Sequence, residues 1–122
     1  MPRTILEEAR LHPAIRERVA NLNADIVHNV QAAASTNPVL VVGMAGNPHV
    51  RRARKCLAAA GIAHHYLEFG SYFGGWRRRT ALKMWTGWPT FPMVFVKATL
   101  IGGADELERL VTVGELKRTL GE

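Results

Sequence analysis

The sequence predicts an α/β domain: a four-stranded mixed sheet with helices on both faces. Three observations predict it. Pro38 to Met44 is apolar at every second position and also at the positions between, as a central strand requires. A helix start at Asn47-Pro48 follows it, and a second apolar run at Ile62 to Phe69 completes a β-α-β unit. Met93-Val94-Phe95-Val96 and Thr99-Leu100-Ile101, separated by Lys97-Ala98, then read as a hairpin with a two-residue turn.

The elements follow in chain order. Pro13 divides the first 36 residues, because its ring nitrogen has no proton to donate within a helix. Leu6 to Leu11 is expected as a short helix and Ala14 to Ala34 as a longer one. In the longer helix Ile15, Val19, Leu22, Ile26, Val30 and Ala33 recur every three or four residues, the stripe of an amphipathic helix on the domain's own surface. Ser35-Thr36-Asn37-Pro38 ends it. After the first strand, Asn47 is the expected N-cap and Pro48 the first helical residue. That helix turns Val50, Ala53, Cys56, Leu57 and Ala60 inward and stops at Gly61. Gly70 to Gly75 is a turn, and Trp76 to Trp85 a helix with its arginines on the exposed side. Asp105 to Val111 and Val113 to Leu120 close the chain as helices, with Asp105 and Glu106 near a positive dipole end. The order is that of a thioredoxin-like fold. Residues 1–36 form an N-terminal helical segment and residues 37–122 the domain proper.

Composition narrows the function. The chain has 122 residues, 48% of them hydrophobic, and a single cysteine. That size suits one domain with one core, and the apolar fraction excludes wholesale disorder. No apolar run approaches the ~20 residues of a membrane span. The start of the chain lacks the apolar core of a signal peptide, so a cytoplasmic location and no membrane partner are expected. One cysteine, Cys56, excludes an internal disulfide and any chemistry that needs two protein thiols. The net charge is +6, and its placement is uneven: residues 51–83 carry eight basic side chains against Glu68 alone, whereas the rest of the chain is nearly balanced. Such a cluster attracts anions, whether nucleic acid, phosphate or carboxylate.

Specific motifs sharpen this. Trp88-Pro89-Thr90-Phe91-Pro92 is followed by Val94-Phe95-Val96 and then by Ile101-Gly102-Gly103-Ala104-Asp105. This series resembles the second half of a glutaredoxin, and WPTFP resembles the monothiol class in particular. Gly43-Met44-Ala45-Gly46 after an apolar strand is similar to that class too. Asn47-Pro48-His49-Val50, leading into Arg51 to Leu57, matches the spacing of the family's C-P-Y-C motif and its helix. The resemblance covers residues 25–122.

The resemblance implies a groove for glutathione. Phe91-Pro92 match the turn with a cis proline, whose backbone pairs with the tripeptide as an added strand. Gly103, Ala104 and Asp105 match the segment that holds the γ-glutamyl end, through helix-terminal N–H groups and a carboxylate for the ammonium. Arg79 stands where the monothiol class keeps an arginine for the glycyl carboxylate.

The departures are equally specific. Asn47 and Val50 occupy the family's two cysteine positions, and the family's lysine near the thiolate falls at Met44 or Ala45. No catalytic residue is therefore assigned. Asn47 is read as a cap, and Cys56, more than two turns into its helix on the apolar side, as a packing thiol. Monothiol glutaredoxins bridge an iron–sulfur cluster with their cysteine plus glutathione; Asn47 is a poor ligand for iron, so no cluster and no other metal is expected. His64 and His65, adjacent on a strand, point to opposite faces. Trp76, Trp85 and Trp88 are expected to pack, although rings amid Arg77 to Lys83 would also suit nucleic acid. The expectation is a glutaredoxin-like protein without thiol–disulfide oxidoreductase activity that binds glutathione or a glutathionylated or iron–sulfur-related protein partner. The alternatives are an oxidoreductase using Cys56, or an anion- or nucleic-acid-binding module using the basic helices.

Overall fold

A computed structural model describes residues 2–121. Its helices are α1 (Pro13–Asn21), α2 (Ala24–Thr36), α3 (Pro48–Ala59), α4 (Trp76–Thr86), α5 (Ala104–Thr112) and α6 (Glu115–Leu120). Its strands are β1 (Val39–Gly43), β2 (His65–Glu68), β3 (Met93–Val96) and β4 (Thr99–Gly102), in the sheet order β2-β1-β3-β4. β1 and β2 run parallel, Val41 opposite Tyr66; β3 is antiparallel to both β1 and β4. This is the expected mixed sheet flanked by helices.

β1 is central because both of its faces are covered. Leu40 and Val42 face one half of the core with Ile26 and Val30 of α2 and Leu82 of α4. Val39 and Val41 face the other half with Leu57 of α3, Leu107 of α5 and Leu116 of α6. The alternation of side chains along one strand thus divides the core into two layers. The helix α2 is integral to the first layer.

Three elements differ from expectation. The long N-terminal helix is two helices, because Asn23 takes a left-handed φ of 50° that asparagine tolerates better than most residues. Only the second half of the apolar stripe then meets the core: Ile26 and Val30 are buried, while Ile15, Val19 and Leu22 stay exposed. Leu6 to Leu11 contracts to a single 3-10 turn at Glu8–Arg10. The second strand begins at His65, not Ile62, because Ile62 is still held to the end of α3 by its N–H on the Leu57 carbonyl.

The topology gathers four segments at one end of the sheet. The C-terminal ends of β1, β2 and β4 lie there, together with the start of β3. The turns that leave or enter these ends carry Gly46-Asn47, residues 70–75, Phe91-Pro92 and Gly103.

Candidate functional site

Asn47 opens α3 and caps it. Its Oδ1 accepts the N–H groups of His49 (2.8 Å) and Val50 (3.2 Å), and the residue is 7% exposed. Pro48 behind it needs no hydrogen-bond acceptor. The amide is therefore committed to helix capping, as its position predicts.

Across the sheet end, the Phe91-Pro92 peptide is cis and introduces β3. Gly102 lies at φ +120°, where a Cβ would press into the Glu106 side chain, so only glycine fits. Glu106 Oε1 in turn accepts the Gly103 N–H at 2.8 Å. The first intrahelical bond of α5 is Leu107 N–H to the Gly103 carbonyl, which leaves the N–H groups of Ala104 and Asp105 in the open first turn.

These segments enclose a groove of about 280 Å³. Of the residues assigned from sequence, Phe91, Pro92, Gly103, Ala104 and Asp105 line it together; Arg79 does not. Arg79 is 8% exposed, and its Nη1 donates to the Phe69 and Gly74 carbonyls at 3.0 and 2.8 Å. The expectation that α4 turns all its arginines outward is corrected: the guanidinium turns inward to bond the Phe69 carbonyl and to share the Gly74 carbonyl with the Ser71 N–H. Its neighbour Arg78 does reach solvent and pairs with Asp25 of α2 at 2.8 Å.

The groove has members that sequence reading did not assign: His49, Arg52, Trp88, Thr90 and Glu106. His49 and Arg52 stand three residues apart on α3, a spacing that puts both on one helix face. Glu106, three residues after Gly103, has the spacing of a reciprocal cap. Arg52 spans α3 and α5, its Nη2 on Asp105 Oδ1 and its Nε on Glu108 Oε1 at 2.7 Å. The Trp88 Nε1–H, next to Gly103, is buried without a hydrogen-bond partner.

The tryptophans divide. Trp85 stacks on Phe95 with centroids 6.0 Å apart, as a packing residue should, but Trp76 is 62% exposed, against expectation. It opens α4 on the solvent side, where nothing covers it. Cys56 is half-buried on α3; burial and the nearby Glu108 carboxylate both raise its thiol pKa, so the reactive thiolate is disfavoured. His64 precedes β2 and its pKa is lowered, first by burial and then by Arg54. A larger hollow of about 510 Å³ lies between α1, α2 and α4, lined by apolar Val19, Leu22 and Met84. No helix among the described residues is long and apolar enough to cross a membrane.

Comparison with known proteins adds to this geometry. No family model matches the chain. The glutaredoxin-like protein of Dictyostelium discoideum is 45% identical over 98 residues, 80% of either chain. Glutaredoxin 4 of Buchnera aphidicola is 31% identical over 79% of this chain and 91% of its own length. Monothiol glutaredoxin-S11 of Oryza sativa is 30% identical over 95% of this chain, which spans 24% of that longer protein. Among solved structures, a buckwheat glutaredoxin–glutathione complex superposes with a TM-score of 0.73 at 25% identity, over 83% of this chain and 92% of that one. Oxidized glutaredoxin 2 from Chlamydomonas reinhardtii gives 0.68 at 25% identity, over 81% and 94%. With the fold shared and the identity to the Dictyostelium protein sustained over 80% of both chains, this chain belongs to the glutaredoxin family.

Proposed function

We propose that the chain binds glutathione, free or attached to a protein, and does not exchange thiols with it. One observation carries this reading: the backbone of Phe91-Pro92 and the open first turn at Ala104-Asp105 line a single groove. The tripeptide would pair with the Phe91 backbone as an added strand, which recognises main chain and not sequence. Its γ-glutamyl carboxylate would meet the Ala104 and Asp105 N–H groups at a positive helix end, and its ammonium the Asp105 carboxylate. The buried Trp88 N–H is a further donor at the groove wall. A superposable relative that is a glutathione complex supports the same site.

The absence of exchange follows from the nucleophile. A thiolate at a helix N-terminus would be stabilised by the dipole, but Asn47 has no thiol and its oxygen is already engaged by two N–H groups. Cys56 lies more than two turns further along α3 with a raised pKa. The groove's polar lining, His49, Arg52, Thr90, Asp105 and Glu106, contains no thiolate, the usual iron–sulfur ligand, which speaks against a cluster. Arg79, tied to the turn, is not assigned to the ligand's glycyl carboxylate.

Titration with glutathione while following the backbone amides tests the reading. Saturable shifts at Phe91 and Ala104 are expected; signals unmoved at millimolar ligand would overturn it. Glutathione-dependent disulfide reduction should be absent, and turnover that disappears in Cys56→Ser would overturn the non-catalytic part.

A further inference from the structure

The turn between β2 and α4 and the first residue of α4 hold three aromatic rings in solvent. Tyr72, Phe73 and Trp76 are 65%, 101% and 62% exposed. Their backbone is not loose. Ser71 and Gly74 exchange backbone hydrogen bonds at 3.0 and 3.3 Å, and the Phe73 N–H donates to Ser71 Oγ at 3.1 Å. From beneath, Arg79 ties the Phe69 and Gly74 carbonyls. Gly70 and Gly75 lie at φ +67° and +81°, and a Cβ on Gly70 would collide with the Gly74 carbonyl and the Arg79 guanidinium. A buried guanidinium is costly unless hydrogen-bonded, and here its bonds serve to fix a turn whose large side chains all point outward.

A cation lies against one of these rings. The Arg77 guanidinium lies 5.3 Å from the centroid of Trp76. Arg51 is exposed on the first turn of α3, toward the side on which Arg54 covers Tyr66 of β2 at 4.0 Å. Tyr72 is the nearest side chain to Gly46, where the chain enters α3. Glu68, at the end of β2, accepts the Tyr66 hydroxyl at 2.9 Å. Among the described residues Arg51 and Arg77 have no carboxylate partner, whereas Arg52 and Arg78 do. The glutathione groove accounts for only part of the positive charge in residues 51–83.

We propose that this end of the molecule binds single-stranded nucleic acid. Bases stack on Tyr72, Phe73 and Trp76, and phosphates meet Arg51 and Arg77. Every base has a π-face, so rings interleaved with guanidinium groups bind unpaired strands with little sequence preference. A duplex keeps its bases stacked on each other and would use only the charges. An acidic polypeptide would satisfy the arginines but leave the rings without stacking partners.

The test uses the full chain and a fluorescent oligo(dT) of about twelve nucleotides, within the ~4–16-nucleotide range of small single-strand sites. Binding should quench tryptophan fluorescence and weaken steeply with salt. Trp76→Phe should remove the quench, because Trp85 and Trp88 lie elsewhere. Tyr72→Ala with Phe73→Ala should weaken binding about tenfold or more, and Arg77→Ala should flatten the salt slope by about 0.7. Circular dichroism should show these exposed-site variants folded as the parent is. No binding at low salt, equal affinity for duplex, indifference to the aromatic variants, or preference for phosphatidylserine vesicles would each overturn the proposal. Asp105→Ala, which removes the carboxylate proposed for glutathione, should leave oligo(dT) binding unchanged, so the two readings stand or fall separately.

Discussion

Asn47 Oδ1 accepts the Val50 N–H at 3.2 Å, so this side chain serves the helix that it opens. The same oxygen also takes the His49 N–H at 2.8 Å. Asn47→Ala should therefore cost about 1 kcal/mol of stability, seen as a drop in Tm of about 4 °C. Asn47→Asp should retain most of it, since a carboxylate caps as well and favours the positive helix end. Thermal melts of the three proteins check this; an unchanged Tm in Asn47→Ala would mean that water replaces the cap without loss.

The hairpin between β3 and β4 turns on Lys97 and Ala98, both left-handed at φ 49° and 63°. Residues with a Cβ are disfavoured there, and Asn-Gly is the pair that such turns prefer. Lys97→Asn with Ala98→Gly should stabilise the fold by about 1 kcal/mol. The midpoint of urea denaturation should rise with an unchanged slope.

What the sequence disclosed, and what it withheld, has a physical pattern. The mixed sheet and the start of α3 are legible because Val39 to Val42 and Asn47-Pro48 obey local rules of alternation and capping, whereas the turns at Phe91-Pro92 and Gly102-Gly103 are legible only through the family resemblance. Charge alone puts the helical Arg79 in solvent; the Phe69 and Gly74 carbonyls that draw it inward are brought together only by folding. Trp76 was expected to pack because large rings usually do, yet its place at the start of α4 leaves it uncovered. The break at Asn23 is a single left-handed residue inside a continuous apolar stripe, and periodicity does not register it. The groove's Arg52 pairs with residues more than fifty positions away, which no local pattern reports.

His64 gives the fold a pH dependence. Burial first, and then Arg54, lower its pKa below the usual 6.5. The folded state thus binds the proton less readily than the unfolded chain. The stability this contributes is present above pH 6.5 and is lost as pH falls through the folded-state pKa. Tm should decline between pH 7.5 and pH 5, by about 1 °C or more, and His64→Gln should lessen that decline. A decline identical in the variant would assign it to other groups.

Arg52 and a ligand's ammonium compete for Asp105. Arg52 holds Asp105 and Glu108 at once, and all three side chains are at least 40% exposed. An ammonium arriving at Asp105 must compete with the guanidinium already there. A partly exposed ion pair is worth about 0–1 kcal/mol, so removing Arg52 should free Asp105 and tighten glutathione binding about threefold. The same arginine also attracts the ligand's carboxylates, and for a tripeptide analogue without the ammonium only that attraction remains. Arg52→Ala should therefore strengthen glutathione and weaken the deaminated analogue, while Asp105→Ala should weaken glutathione alone. Added salt screens the Arg52–Asp105 pair, so the gain for glutathione should shrink as ionic strength rises. Calorimetric titrations of both ligands at low and high salt measure the four terms. If Arg52→Ala weakened both ligands equally, Asp105 would not be the ammonium's partner.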